Sequence, residues 1–192
     1  MKIKKHVFSA ILIASISSYT AQDTQDFSYT FTPRIELTET SVKSQDRTGT
    51  CWSYSASSFL ESEAARISGH IVDLSEMATV RYTYPLKAEI YIRLQGKHQF
   101  SAGSLAHDVI NAASGWGLVP QNVYTGLKDG ETVHDHDAMD KALKAAVDSI
   151  LTKPSGKIDL YWMKDIDEIL DEHIGVAPVD FVYEGETYTP ET

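Results

Sequence analysis

The stretch Gln45-Asp46-Arg47-Thr48-Gly49-Thr50-Cys51-Trp52-Ser53-Tyr54-Ser55-Ala56 decides how this chain is read. Gln45 and Cys51 stand six residues apart in it, and Cys51 is the single cysteine of 192 residues. Trp52, Ala56, Phe59, Leu60, Ala64 and Ile67 then recur at helical spacing on one face. That spacing predicts a helix from Cys51 to about Ile67, with Gly69 as its stop signal. The cysteine therefore opens a helix, whose N-terminal partial positive charge favours thiolate over thiol. A glutamine one short loop upstream can turn its amide toward a developing oxyanion. A free cysteine on its own reads most simply as a small buried hydrophobe. Its place between a glycine turn and a tryptophan argues instead for a thiol nucleophile.

Composition bounds the rest. The chain is 42% hydrophobic and 23% charged, ordinary for a globular protein and long enough for one domain with a core. Lys2, Lys4 and Lys5 precede a short apolar stretch, Val7 to Ile16, with a plausible cut after Ala21. Residues 1–21 read as a signal peptide, too short for a membrane span, which predicts export to the periplasm or the extracellular space. No cysteine stands at the cut, which argues against a lipid anchor. Removing the leader takes the formal charge from −10 to −13. So acidic a chain argues against nucleic acid or an anionic membrane as partner. With one cysteine there is no internal disulfide. No cofactor and no metal is expected.

Residues 22–41 are polar and read as an extended segment, and 42–192 as the folded region. Asp73-Leu74-Ser75-Glu76 can cap a second helix, from Asp73 with Glu76 at its third position or from Ser75. This helix reaches toward Leu94, with Pro85 expected to break or kink it. Ser104–Ser114 reads as a helix with Leu105, Val109, Ile110 and Ala113 inward. So does 136–151, with Met139, Leu143, Ala146, Val147 and Ile150 aligned. Pro154-Ser155-Gly156 breaks the chain before a helix from Leu160 to His173, whose inward residues are Met163, Ile166, Ile169 and Leu170. Phe181-Val182-Tyr183 and Thr187-Tyr188-Thr189 then flank Glu184-Gly185-Glu186 as a short hairpin.

The run from Lys43 to Trp52 resembles the active-site segment of papain-superfamily cysteine peptidases: Gln, three residues, Gly, one residue, Cys, Trp. Two later segments match in order. Leu74-Ser75-Glu76 is similar to the family's Leu-Ser-Glu segment. Phe100-Ser101-Ala102-Gly103-Ser104, followed by a helix and Trp116-Gly117-Leu118-Val119-Pro120, is similar to its substrate-binding glycine turn. Ser104 stands where the family has a second glycine. The likeness is strongest to the bleomycin hydrolase/aminopeptidase C branch. It implies an α+β, papain-like fold, mainly the helical half with a short C-terminal hairpin and the rest of the β domain missing. It implies Cys51 as nucleophile and Gln45 as oxyanion donor, both catalytic. Gly49, Trp52, Gly103 and Ser104 would bind a peptide substrate, cleaved by aminopeptidase-like hydrolysis through an acyl-thioester.

The histidine base of such enzymes follows the cysteine by roughly 130–150 residues. Residues 181–192 hold no histidine, and His70, His98, His107, His134, His136 and His173 read as loop or helix-end residues. The expectation is a chain inactive alone, with the catalytic histidine and asparagine beyond it. The competing expectation is a non-catalytic papain-like module that binds peptides or proteins.

Overall fold

The helix that organises this molecule is α2 (Glu76–Arg93), buried along most of its length by Met77, Ala78, Val80, Tyr84, Ala88, Tyr91 and Ile92. Its surroundings come from a computed structural model that describes residues 29–153 and 156–192. The leader and the Pro154-Ser155 part of the expected break lie outside the described residues. The chain divides into two units, Met1–Glu36 and Leu37–Thr192. In the first, residues 29–36 are exposed, without helix or strand. All regular elements among the described residues belong to the second.

Ser75 caps α2 and accepts the Ala78 N–H at 3.0 Å. Glu76 is therefore the first helical residue, not the third, and its carboxylate is free for another use. Pro85 does not interrupt the helix, which runs through it to Arg93. α2 packs against four neighbours: α1 (Cys51–Ser68), α3 (Ala106–Gly115), α4 (Asp137–Leu151) and α5 (Trp162–Ile174). That packing holds the helix together where proline removes one N–H donor.

α1 begins at the cysteine. Gly69 ends it in the left-handed region, at φ +76°, with its N–H on the Ala65 carbonyl at 2.8 Å. Its buried face differs from expectation. Trp52 and Ala56 are inside, but Phe59 and Ile67 are 64% and 75% exposed. Ser53, Ser57 and Glu61 complete the interior face instead. Two of the three have hydrogen-bond partners there: Ser53 Oγ donates to the Glu76 carbonyl at 2.9 Å, and Glu61 accepts the Leu74 N–H at 2.8 Å. α3 shows the same correction. Val109 and Ala112 are buried, while Leu105 and Ile110 face out.

The expected pattern holds in α4 and α5. Met139, Leu143, Val147 and Ile150 are buried on α4, and Ile166 and Leu170 on α5, with Ala146, Met163 and Ile169 packed beside them. Arg81 cross-links α2 to α5 through Asp167 at 3.1 Å and Asp171 at 2.8 Å. At the end of the chain, β1 (Phe181–Tyr183) pairs antiparallel with β2 (Glu186–Tyr188), one residue earlier than the sequence suggests. Glu184 and Gly185 have φ of +50° and +88°, the signs of a type I′ turn. Among the described residues the hairpin pairs with no further strand. Phe181 packs on the core, and Leu118 N–H bonds the Pro190 carbonyl at 2.7 Å. The architecture is α+β, mostly helical with one two-stranded hairpin.

Leu170→Ala should cost about 2–5 kcal/mol, because it empties a fully buried site. Phe59→Ser, on the exposed side of α1, should change stability by less than about 0.5 kcal/mol. Urea denaturation of both variants checks the assignment of faces, and equal losses would contradict it.

Candidate active site

Cys51 is the first residue of α1, and its thiol is exposed. A residue at that position has no intrahelical acceptor for its N–H, so thiol and amide donor stand together. The loop before it is held from behind by α4's entry. Arg47 N–H bonds the His134 carbonyl at 3.1 Å, and His136 N–H bonds the Arg47 carbonyl at 3.2 Å. Asp46, at φ +53°, accepts the His134 N–H at 3.1 Å. That bond, first, and one to Ser44 hold its carboxyl below the usual range. Thr48 Oγ1 donates to the Gln45 carbonyl at 2.8 Å. Gln45 is half-buried, and its side-chain oxygen is buried without a partner among the described residues.

The loop and the Ser101–Ser104 turn meet at close range. Trp52 is 5% exposed and donates from Nε1 to the Ala102 carbonyl at 3.0 Å. A Cβ on Gly49 would stand 2.7 Å from the Ala102 Cβ, so this contact requires glycine. Gly103 is different: a Cβ there would meet nothing within 4 Å. The protein leaves that side open. Ser104 Oγ bonds Asp108, which ties the turn to the first turn of α3. Lys87, from α2, closes the arrangement from beneath. Its Nζ donates to the carbonyls of Ser101, Ala102 and Gly103 at 3.1, 3.3 and 2.9 Å. It also lies 5.4 Å from the Trp52 ring centre and 5.3 Å from that of Tyr84. Burial pushes the Lys87 amine down to about 8, against the opposing pull of Asp108 and Asp140.

On the other side of α1, Lys43 serves three acids. Its Nζ is 2.5 Å from Asp73, 2.7 Å from Glu76 and 3.8 Å from Glu61. Burial acts to lower the ammonium, and the bonds to Asp73 and Glu76 outweigh it, so the net shift is upward. Glu76 is raised by burial, which its bond to Lys43 only partly offsets. This cluster anchors the extended segment before the loop, and Thr40 bonds Glu61 beside it.

The histidines lie elsewhere. Among the described residues, none makes a hydrogen bond to Cys51. His134 and His136 are buried, with ring centres 5.9 Å apart. Both ring nitrogens of His136 lack partners among the described residues. Burial first, then the neighbouring His134, pushes the His136 imidazole down to about 4. These two residues act through their backbone, as the brace of the loop. His173 sits in the last turn of α5, as its sequence position suggests.

Of the residues singled out from sequence, the structure gathers Gly49, Cys51, Trp52, Gly103 and Ser104 around one contact. Trp52 is inside, so it acts through the turn it supports. Lys87 was not visible beforehand. The signal was present, since Lys87 is three residues after Tyr84 and four before Tyr91 on a buried face, where an unpaired ammonium is costly.

No protein-family model matches the sequence, and neither does any curated protein. Among solved structures, the fold is similar to that of PepW from Lactobacillus rhamnosis HN001, with a TM-score of 0.60 at 16% identity. The match covers 84% of this chain and 44% of that one, so the chain spans less than half the length of PepW. The likeness is one of fold.

Gly49→Ala should destabilise the protein by about 1–3 kcal/mol through overpacking against Ala102. Adding Ala102→Gly should recover most of that loss in the urea midpoint. An uncompensated double variant would show that the contact is not what demands glycine.

His136 also sets an acid limit. Its folded value lies below the ordinary 6.5, so the unfolded chain takes up the proton first as pH falls. Stability should decline from about pH 6.5 to about pH 4 by on the order of 3 kcal/mol, then level off for this group. His136→Leu should flatten thermal-melt midpoints across that window, and an unchanged slope would assign the effect to another group.

Proposed function

We propose that residues 42–192 form the helical part of a papain-like cysteine peptidase, with Cys51 as its nucleophile. The observation that carries this reading is an exposed thiol at the first residue of a helix, joined through Trp52 to a turn open at Gly103. The fold likeness to PepW supports it. In this chemistry the Cys51 thiolate attacks the scissile carbonyl carbon, forming a C–S bond and an oxyanion. The Cys51 N–H and the Gln45 amide are the donors assigned to that oxyanion. Collapse breaks the C–N bond, and the amine leaves after receiving a proton from an imidazolium. Water then hydrolyses the thioester. The substrate class is peptides, with aminopeptidase-like action as the finer expectation, after export through the N-terminal leader.

The acid–base partner is the open element, because no described histidine contacts the thiol. That same observation favours a second reading, a papain-like module that binds peptides without cleaving them. An activated ester separates the two. A p-nitrophenyl ester of an acylated amino acid expels p-nitrophenolate with its electron pair, so its acyl transfer needs no proton donor. Under the peptidase reading the purified chain should release about one equivalent of p-nitrophenolate in a burst, and Cys51→Ala should release none. Peptide amides should remain uncleaved by these residues alone. A burst that survives Cys51→Ala, or no burst from the unaltered chain, would leave the binding module as the better reading.

A further inference from the structure

Lys87 has three ammonium hydrogens and faces three backbone carbonyls, those of Ser101, Ala102 and Gly103. The Ala102 carbonyl also accepts from Trp52 Nε1, so the same turn is held from α1 and from α2. Every carbonyl from Ser101 to Gly103 is thereby occupied from the protein side. The backbone N–H groups of residues 101–104 take no partner among the described residues. The turn therefore keeps unpaired donors, and at Gly103 it has open space. An extended peptide can place its own carbonyl oxygens on such donors.

We infer that Lys87 is a positioning residue for peptide binding, turning the Ser101–Gly103 carbonyls inward so that the turn presents its amide donors beside Cys51. This rests on the peptide-directed reading of the site given above. The charged groups around the amine are few: Asp108 on α3 and Asp140 on α4 both favour the ammonium, and the remaining faces are the Trp52 and Tyr84 rings. A neutral amine has one hydrogen fewer than the carbonyls it serves. With the amine's value near 8, one of the three bonds is lost between about pH 7 and pH 9.

The test compares two reagents with one reactive group, chloroacetamide itself and a dipeptide carrying a chloroacetamide. Both react at the Cys51 thiolate, so the ratio of their rate constants cancels the ionisation of the thiol. In the unaltered 192-residue chain the dipeptide reagent should react at least about tenfold faster, reflecting backbone pairing on the turn. Lys87→Met should lower that ratio about tenfold. Lys87→Arg should retain much of the ratio and lose its dependence on pH, whereas the unaltered chain's ratio should fall from pH 7 to pH 9.

A ratio near one in the unaltered chain overturns the peptide-binding reading and this inference with it. A high ratio that Lys87→Met leaves intact overturns the role of Lys87 alone. Should Lys87→Met fail to fold, the unaltered chain's pH profile carries the test, and a flat profile refutes the inference.

Discussion

A helix buried on most of its circumference cannot leave a charge unpaired, and α2 carries three such charges. Glu76, Arg81 and Lys87 each reach a different neighbour: Lys43 before α1, the Asp167–Asp171 pair on α5, and the Ser101–Gly103 carbonyls. Each pairing answers the desolvation of one group. Together they determine where the segment before α1, the last helix and the turn lie around a common axis. Apolar burial would draw these elements together without fixing their register.

The candidate site follows from that arrangement. Cys51 contributes little to packing and is exposed, while its neighbours on either side are held firmly. The loop behind it is hydrogen-bonded to the backbone of 134–136, and Trp52 ahead of it is buried and bonded to Ala102. A reactive group on a rigid base with open solvent on one side is a sound design for chemistry, since rigid neighbours fix its geometry. The buried ring of His136, without a hydrogen-bond partner among the described residues, belongs to this base rather than to the reacting face, and its cost in acid accompanies the support its backbone provides.

How much of this was legible in the sequence varied by element. α4 and α5 were read correctly because Met139, Leu143, Val147, Ile166 and Leu170 form apolar stripes against polar opposite faces, and burial follows such stripes. α1 and α3 misled for a shared reason. In each the buried face is rotated away from the apolar stripe, and on α1 the contact that won brings in Ser53, Ser57 and Glu61. Pro85 misled because a lone proline signals a break, whereas packing on four sides sustains the helix around it.

By itself the sequence determined the helix that begins at Cys51, its stop at Gly69, the amphipathic pair α4 and α5 and the hairpin near the end. All of these depend on local backbone preference or on the period of apolar residues. The tertiary structure alone decided that Lys87 lies under the Ser101–Gly103 carbonyls, that Gly49 is required by Ala102, and that His134 and His136 brace the loop. Those partners are far apart in the chain. Which distant groups meet is set by how helices pack and by the need to satisfy each buried polar group, and a one-dimensional pattern carries neither.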